Sequence, residues 1–238
     1  MSVLNMKLAK AISSKGIKVL KTAIAGIMTE ALQGPFEASL TALPETVEIL
    51  LFGAKKNKDL LEALAAMNGK SPVLIEHSIN VLALTVQYGF YKNCNEDRIR
   101  TLALCAMLHD IGMTKIDKKL VEKKERLTDT EFAKYKNHTV KGHSEMMELS
   151  LFDKSVASTA LEHHERLDGS GYPNNSKNIS QEAQIIGLID SYEPLKYRDK
   201  TFRKALKPYD ALQIIKDDAI QGKYNKQVFK DLCICLIK

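Results

Sequence analysis

Residues 95–112 read NEDRIRTLALCAMLHDIG, and their reading decides the fold. Asn95 followed by Glu96 and Asp97 is a helix start, with a side-chain acceptor ahead of an acidic first turn. Leu102, Cys105, Ala106 and Leu108 then recur at helical spacing until Gly112, which places His109 and Asp110 in the last turn. Apolar residues keep this three-and-four spacing through almost all of the chain, with no convincing run of strict alternation. An all-α fold is expected.

Upstream, Gly34-Pro35 closes one or two helices over residues 1–33, Pro44 opens the next and Asn68-Gly69 ends it. Ser71-Pro72 then has the cap-then-proline signature ahead of the apolar segment that carries His77. The expected organisation is a helical N-terminal segment, 1–69, and a principal domain, 70–238. Downstream, Thr128-Asp129-Thr130-Glu131 is a capping box whose helix is expected to contain His138. A further helix is expected to end near Leu167. Two glycines and a proline within Asp168–Pro173 make that stretch an exposed loop. Ser180 caps the helix carrying Asp190, with Pro194 as its expected end, and helices from near Pro208 and Asn225 complete the chain.

With 238 residues, 45% hydrophobic and 27% charged, the chain is an ordinary globular protein rather than a disordered or membrane-embedded one. The net charge of +6, from 35 basic and 29 acidic residues, is too small to argue for a DNA or RNA partner. The longest stretch without a charged residue, His77 to Tyr91, is too short to span a bilayer, and no signal peptide is recognisable, so a cytoplasmic protein is expected. Cys94, Cys105, Cys233 and Cys235 lack zinc-site spacing and read as reduced thiols. Lys7, Lys10, Lys15, Lys18 and Lys21 share one side of a helical wheel, with Met6, Ile12, Val19 and Leu20 largely opposite. The favoured reading is a solvated helix face rather than a membrane or acidic-partner surface.

The six histidines are His77, His109 beside Asp110, His138, His143 and the doublet His163-His164, with Asp190 downstream. Taken singly, His77 or His138 reads as a structural histidine, and His143 stays in that class. Jointly they are metal-ligand types, since buried unpaired imidazoles are costly. Adjacent ligands on a helix project about 100° apart, so the two doublets suit two ions better than one. Imidazole with carboxylate favours a first-row ion such as iron, manganese or zinc over magnesium.

His77-Ser78, Leu108-His109-Asp110-Ile111-Gly112, His138, His163-His164-Glu165 with Asp168-Gly169-Ser170-Gly171-Tyr172-Pro173, and Asp190 together resemble the HD-GYP branch of the HD-domain metal phosphohydrolases. The resemblance implies an HD-type helical bundle that hydrolyses cyclic di-GMP or a related cyclic dinucleotide to linear pGpG, and sometimes to GMP, through a metal-bridging hydroxide. It implies seven ligands, His77, His109, Asp110, His138, His163, His164 and Asp190, with Asp110 bridging two divalent ions, iron or manganese. Val73 stands where members with three ions have glutamate, and Met113 where the family usually has a phosphate-binding lysine. Lys115 is the candidate replacement, Lys200 and Arg203 the candidate phosphate grip with Arg198 in reserve, and Tyr172 a residue at the edge of the site. The family also implies a GGDEF-type cyclase or another signalling protein as a partner, with a homodimer as the candidate assembly. The alternative, kept open by Met113, is a catalytically weak cyclic-dinucleotide receptor or adaptor that retains the metal site.

Overall fold

A computed structural model describes residues 3–13, 17–33, 40–56, 59–65, 73–123, 125–197 and 204–237. Every regular element among them is helical, as expected. The chain divides into two compact units, Met1–Met107 and Leu108–Lys238.

The first unit holds α1 (Val3–Ser13), α2 (Ile17–Gln33), α3 (Leu43–Lys56), α4 (Asp59–Ala65), α5 (Val73–Tyr91) and nearly all of α6 (Glu96–Leu108). α5 is buried on all sides over Ile75–Val86, a largely apolar stretch that also buries Glu76, His77, Ser78, Asn80 and Thr85. α2 and α4 pack on it, and α1 packs on α2 and α3. Asn5 fastens α1 to α3: its amide donates to the Ala42 carbonyl and to Glu45, and it accepts from Thr46 Oγ1 at 2.8 Å. Arg100 of α6 pairs with Glu48 of α3. Lys7 and Lys10 are exposed as expected, but Met6 is 51% exposed, because the buried edge of α1 is Asn5 and Leu8. Lys15 and the side chains of Lys18, Lys21, Val19 and Leu20 lie outside the described residues, as do Gly34-Pro35, Asn68-Gly69 and Ser71-Pro72. All four cysteines are free; Cys105 and Cys235 are buried, Cys94 and Cys233 half-buried. No helix among the described residues is long and apolar enough to cross a membrane.

The second unit continues through a 3₁₀ turn, Ile111–Lys115, into α7 (Lys118–Val121), α8 (Asp129–Lys136), α9 (His138–Leu149), α10 (Lys154–Glu162), α11 (Gln181–Tyr197), α12 (Pro208–Ile220) and α13 (Lys226–Ile237). α9 packs on α10, α10 on α11, and α11 on α12 and α13.

Five boundaries differ from expectation, and three of them bear on the site. The single helix expected from Pro44 to Asn68 is two, α3 and α4. α6 ends at Leu108, so His109 and Asp110 follow the helix instead of closing it. The capping box forms in full at Thr128 and Glu131, but its helix stops at Lys136. There the Asn137 amide bonds back to the Lys134 carbonyl, three residues away, which breaks the four-residue ladder. His138 therefore opens a new helix. α10 ends at Glu162 rather than near Leu167, leaving His163 as its C-cap. Pro194 sits inside the closing turns of α11, where it offers no amide to the ladder and crowds the carbonyl four residues back, and the helix ends three residues later.

The Thr128 hydroxyl accepts from the Glu131 amide while the Thr128 amide donates to the Glu131 carboxylate, so Thr128→Ala, which removes the hydroxyl, should lower the unfolding free energy by about 1 kcal/mol. Urea titration of the full chain would measure it.

Candidate metal centre

Five of the seven ligand candidates sit where a helix stops or starts. His109 and Asp110 form the turn between α6 and the 3₁₀ segment, His138 is the first residue of α9, and His163 and His164 leave α10. Asp190 projects from within α11. His109, His138 and His163 are completely buried, and Asp110 and Asp190 nearly so. Buried imidazoles and carboxylates are stable only when something compensates them.

His138 Nδ1 lies 2.8 Å from the Tyr135 carbonyl, and His163 Nδ1 3.1 Å from the carbonyls of Thr159 and Ala160. A carbonyl only accepts, so the proton resides on Nδ1 in both rings and each Nε2 presents a lone pair. Those two Nε2 atoms are 3.4 Å apart, and they stand 3.3 and 3.5 Å from Asp110 Oδ1. Three acceptors thus converge on one point with no proton among them. Ligands held about 2.1 Å from one ion stand roughly 3.0–3.4 Å apart, so the spacing fits a coordinated cation better than direct hydrogen bonds. Asp110, His138, His163 and His164 each place one donor atom within 4.8 Å of the others.

The other oxygen of the same carboxylate faces elsewhere. Asp110 Oδ2 lies 3.7 Å from His109 Nε2, which is 3.8 Å from Asp190 Oδ1, while Asp190 Oδ2 is 3.7 Å from His164 Nδ1. Asp110 and Asp190 each divide their oxygens between two histidines or sets of histidines. Burial is the main influence lowering the basicity of His138 and His164, and it outweighs the neighbouring carboxylates. The neutral imidazole so favoured is the form that binds a metal.

Three glycines allow this convergence. A Cβ on Gly112 would lie 1.9 Å from the His138 carbonyl oxygen, and one on Gly187 2.2 Å from that of His163. A Cβ on Gly171 would meet the Glu165 Cα and Arg166 nitrogen at 2.4 Å. The 168–173 loop is folded around Glu165, whose buried carboxylate accepts from the amides of Asn174 at 2.6 Å and Ser176 at 3.0 Å. The loop is only partly exposed: Asp168 and Ser170 face solvent, whereas Gly171 is buried. Tyr172 lays its ring 4.7 Å from the His164 ring and meets His138 edge-on, and burial raises its phenol pKa.

His77 is buried in α5 of the first unit, and Val73, at the start of that helix, is 62% exposed. Met113 is buried, and Lys115 Nζ pairs with Glu145 at 2.9 Å. Lys200, Arg203 and Arg198 lie outside the described residues. His143 is half-buried and takes no place among the ligand candidates. The sequence pattern contains Glu165 within the motif without assigning it a role, and it marks neither Gly187 nor Arg166. A carboxylate directly after a histidine doublet and before a glycine-rich loop was the available signal for Glu165.

This constellation has counterparts in known proteins. Residues 59–228 match the HD domain family. The chain belongs to that family. Its HHExxDGSGYP string places it in the HD-GYP branch. It is 35% identical over 159 residues to the cyclic di-GMP phosphodiesterase PdeB of Borreliella burgdorferi, an alignment covering 66% of this chain and 41% of that one. It is 25% identical over 213 residues to a cyclic di-GMP phosphodiesterase of Pseudomonas aeruginosa, covering 88% and 50%. It is 31% identical over 169 residues to a 3'3'-cGAMP-specific phosphodiesterase of Vibrio cholerae, covering 70% and 36%. The chain thus spans half or less of the length of these relatives. Among solved structures, an HDG"Y"P protein from Bdellovibrio bacteriovorus shares the fold with a TM-score of 0.80 at 18% identity, over 98% of this chain and 78% of that one.

The HD-GYP site depends on backbone contacts that admit no side chain. Gly187→Ala should therefore destabilise the protein by about 1–3 kcal/mol, because its Cβ meets a carbonyl that cannot step aside. Gly142→Ala, whose Cβ comes no closer than 3.1 Å to its neighbours, should cost clearly less. Parallel urea titrations would compare them.

Proposed function

We propose that the protein is a metal-dependent phosphodiesterase that hydrolyses cyclic di-GMP, or a related cyclic dinucleotide, to linear pGpG and on further hydrolysis to GMP. The observation that carries the proposal is the Asp110 carboxylate, one oxygen facing His138 and His163 and the other facing His109. That is the geometry of a bridging ligand, and the named substrates of the relatives supply the substrate class. Two first-row ions, iron or manganese, would supply a water of lowered pKa and neutralise the phosphodiester oxygens.

In this reading His109 and Asp110 are the catalytic pair, and His138, His163, His164 and Asp190 complete the cage with them. His77 is carried over from the sequence motif as the seventh ligand. The Nδ1–H groups of His138 and His163 keep donating to backbone carbonyls, holding both rings in the ligating tautomer through the reaction. Tyr172, packed on His164, borders the substrate and excludes water from that side. Lys200 and Arg203 grip the phosphates, and Lys115 reaches the substrate only by exchanging its bond to Glu145. Residues 70–238 constitute the catalytic domain behind the helical segment 1–69. The Gly-Tyr-Pro loop is the surface for a GGDEF-type cyclase or another signalling protein, the assembly is a homodimer, and the compartment is the cytoplasm.

One observation favours the second reading, a weak receptor or adaptor: a buried methionine occupies the phosphate-lysine position, and the nearby lysine is engaged by Glu145. Losing one such donor costs about 10²–10³ in rate, far less than losing the ions, so turnover should be slow but real.

Metal analysis should find two ions per chain, with Asp110→Ala losing both or leaving one weakly bound. Three ions on protein ligands, or a stoichiometry unaffected by Asp110→Ala, would refute the bridged pair. On the same anaerobically prepared sample, cyclic di-GMP should yield pGpG. His109→Ala should abolish the reaction, Lys200→Ala or Arg203→Ala should slow it, and Met113→Lys should leave it equal or faster. Tight binding with no product would establish the receptor instead, and preferential hydrolysis of mononucleotides would point to a general HD phosphohydrolase.

A further inference from the structure

Behind the cage lies a group that the reaction as proposed does not use. The Arg166 guanidinium reaches the two peptide carbonyls that flank His164. Its Nη1 donates to the carbonyl of His163 at 3.2 Å and to that of Glu165 at 2.8 Å. Its Nη2 donates to Ser191 Oγ at 3.2 Å, on the residue that follows Asp190. The same hydroxyl accepts from the Tyr224 phenol at 2.7 Å and donates to the Gly187 carbonyl at 2.8 Å, so its hydrogen-bonding capacity is directed on all sides. The Tyr224 ring lies beneath the guanidinium, 4.7 Å away, and holds it in place.

The fork thus ties the residues on either side of His164 to the residue after Asp190, and His164 Nδ1 faces Asp190 Oδ2 at 3.7 Å. His164 belongs to the cluster with Asp110, His138 and His163, while Asp190 shares His109 with the opposite oxygen of Asp110. We infer that Arg166, backed by Ser191 and Tyr224, is a positioning residue that fixes the separation between His164 and Asp190 and thereby the spacing of the two ion positions.

A planar fork is needed for this. Lysine offers one point charge and cannot address two carbonyls and a hydroxyl in one plane. Residues that orient metal ligands from behind typically cost about 10–100-fold in affinity when removed.

The inference rests on the metal-centre reading, and its test uses the full chain with Mn²⁺ alone. Two quantities are measured by chelator competition and by electron paramagnetic resonance: the affinity of each ion, and the exchange coupling between them. Arg166→Lys and Ser191→Ala should weaken one ion by about 10–100-fold and alter the coupling pattern, with the other ion held as in the wild type. Tyr224→Phe, which keeps the ring and removes only the hydroxyl, should give a smaller change in the same direction. Unchanged affinity and coupling in Arg166→Lys and Ser191→Ala would overturn the inference. So would parallel weakening of both ions that merely follows a fall in melting temperature, since that signals general loosening. A wild-type protein that takes up no Mn²⁺ would remove the metal reading itself, an outcome distinct from either of these.

Discussion

Everything in the second unit is arranged around one electrostatic problem, a buried carboxylate oxygen facing two imidazole lone pairs. Asp110 Oδ1, His138 Nε2 and His163 Nε2 are all acceptors, and in a low-dielectric interior three convergent acceptors repel unless a cation or a donor lies among them. Helix packing brings them together at the expense of local stability, and that cost is justified by what the acceptors can hold. The second oxygen of Asp110 faces His109, so the one carboxylate addresses two sets of histidines.

Helix termini set the protonation of the cage. The last carbonyls of a helix have no partner in the helix ladder and are available as acceptors. Tyr135 lies in the closing turn of α8, and Thr159 and Ala160 in that of α10. Their carbonyls accept hydrogen bonds from the Nδ1–H groups of His138 and His163. The break at Asn137 places His138 at the start of α9, with its ring against one of these closing-turn carbonyls.

The residues that could be read from sequence are those whose signal is local. Helical spacing showed the all-α class, and the capping box at Thr128, the Asn95 start and the Ser180 start appear where expected because each is satisfied by atoms within three residues. Cluster members His109, Asp110, His138, His163, His164 and Asp190 were legible through their motif. The ends of α6, α8 and α10 were not, because each is decided by what the chain meets in three dimensions. Gly187 gives no local hint that its α-carbon must admit the His163 carbonyl, and nothing near Arg166 in sequence shows that its partners are Ser191 and Tyr224, 25 or more residues away.

Under the proposed function, cage and substrate grip follow different physical demands, and the departure at Met113 falls on the grip. Cage atoms must be held to within tenths of an ångström, so they are buried, carried on helix ends and locked by glycine contacts that admit no methyl group. Phosphate-gripping groups act through charge over longer reach, and a lysine two residues displaced still carries its charge to the neighbourhood. Lys115 is half exposed and tied to Glu145 by a bond that an incoming phosphate can replace. An exposed ion pair of that kind is worth at most about 1 kcal/mol, so exchanging it opposes binding only slightly. A methionine at position 113 thus removes a pre-placed donor while leaving the cage intact, and the consequence falls on rate and affinity rather than on the kind of reaction the site can perform.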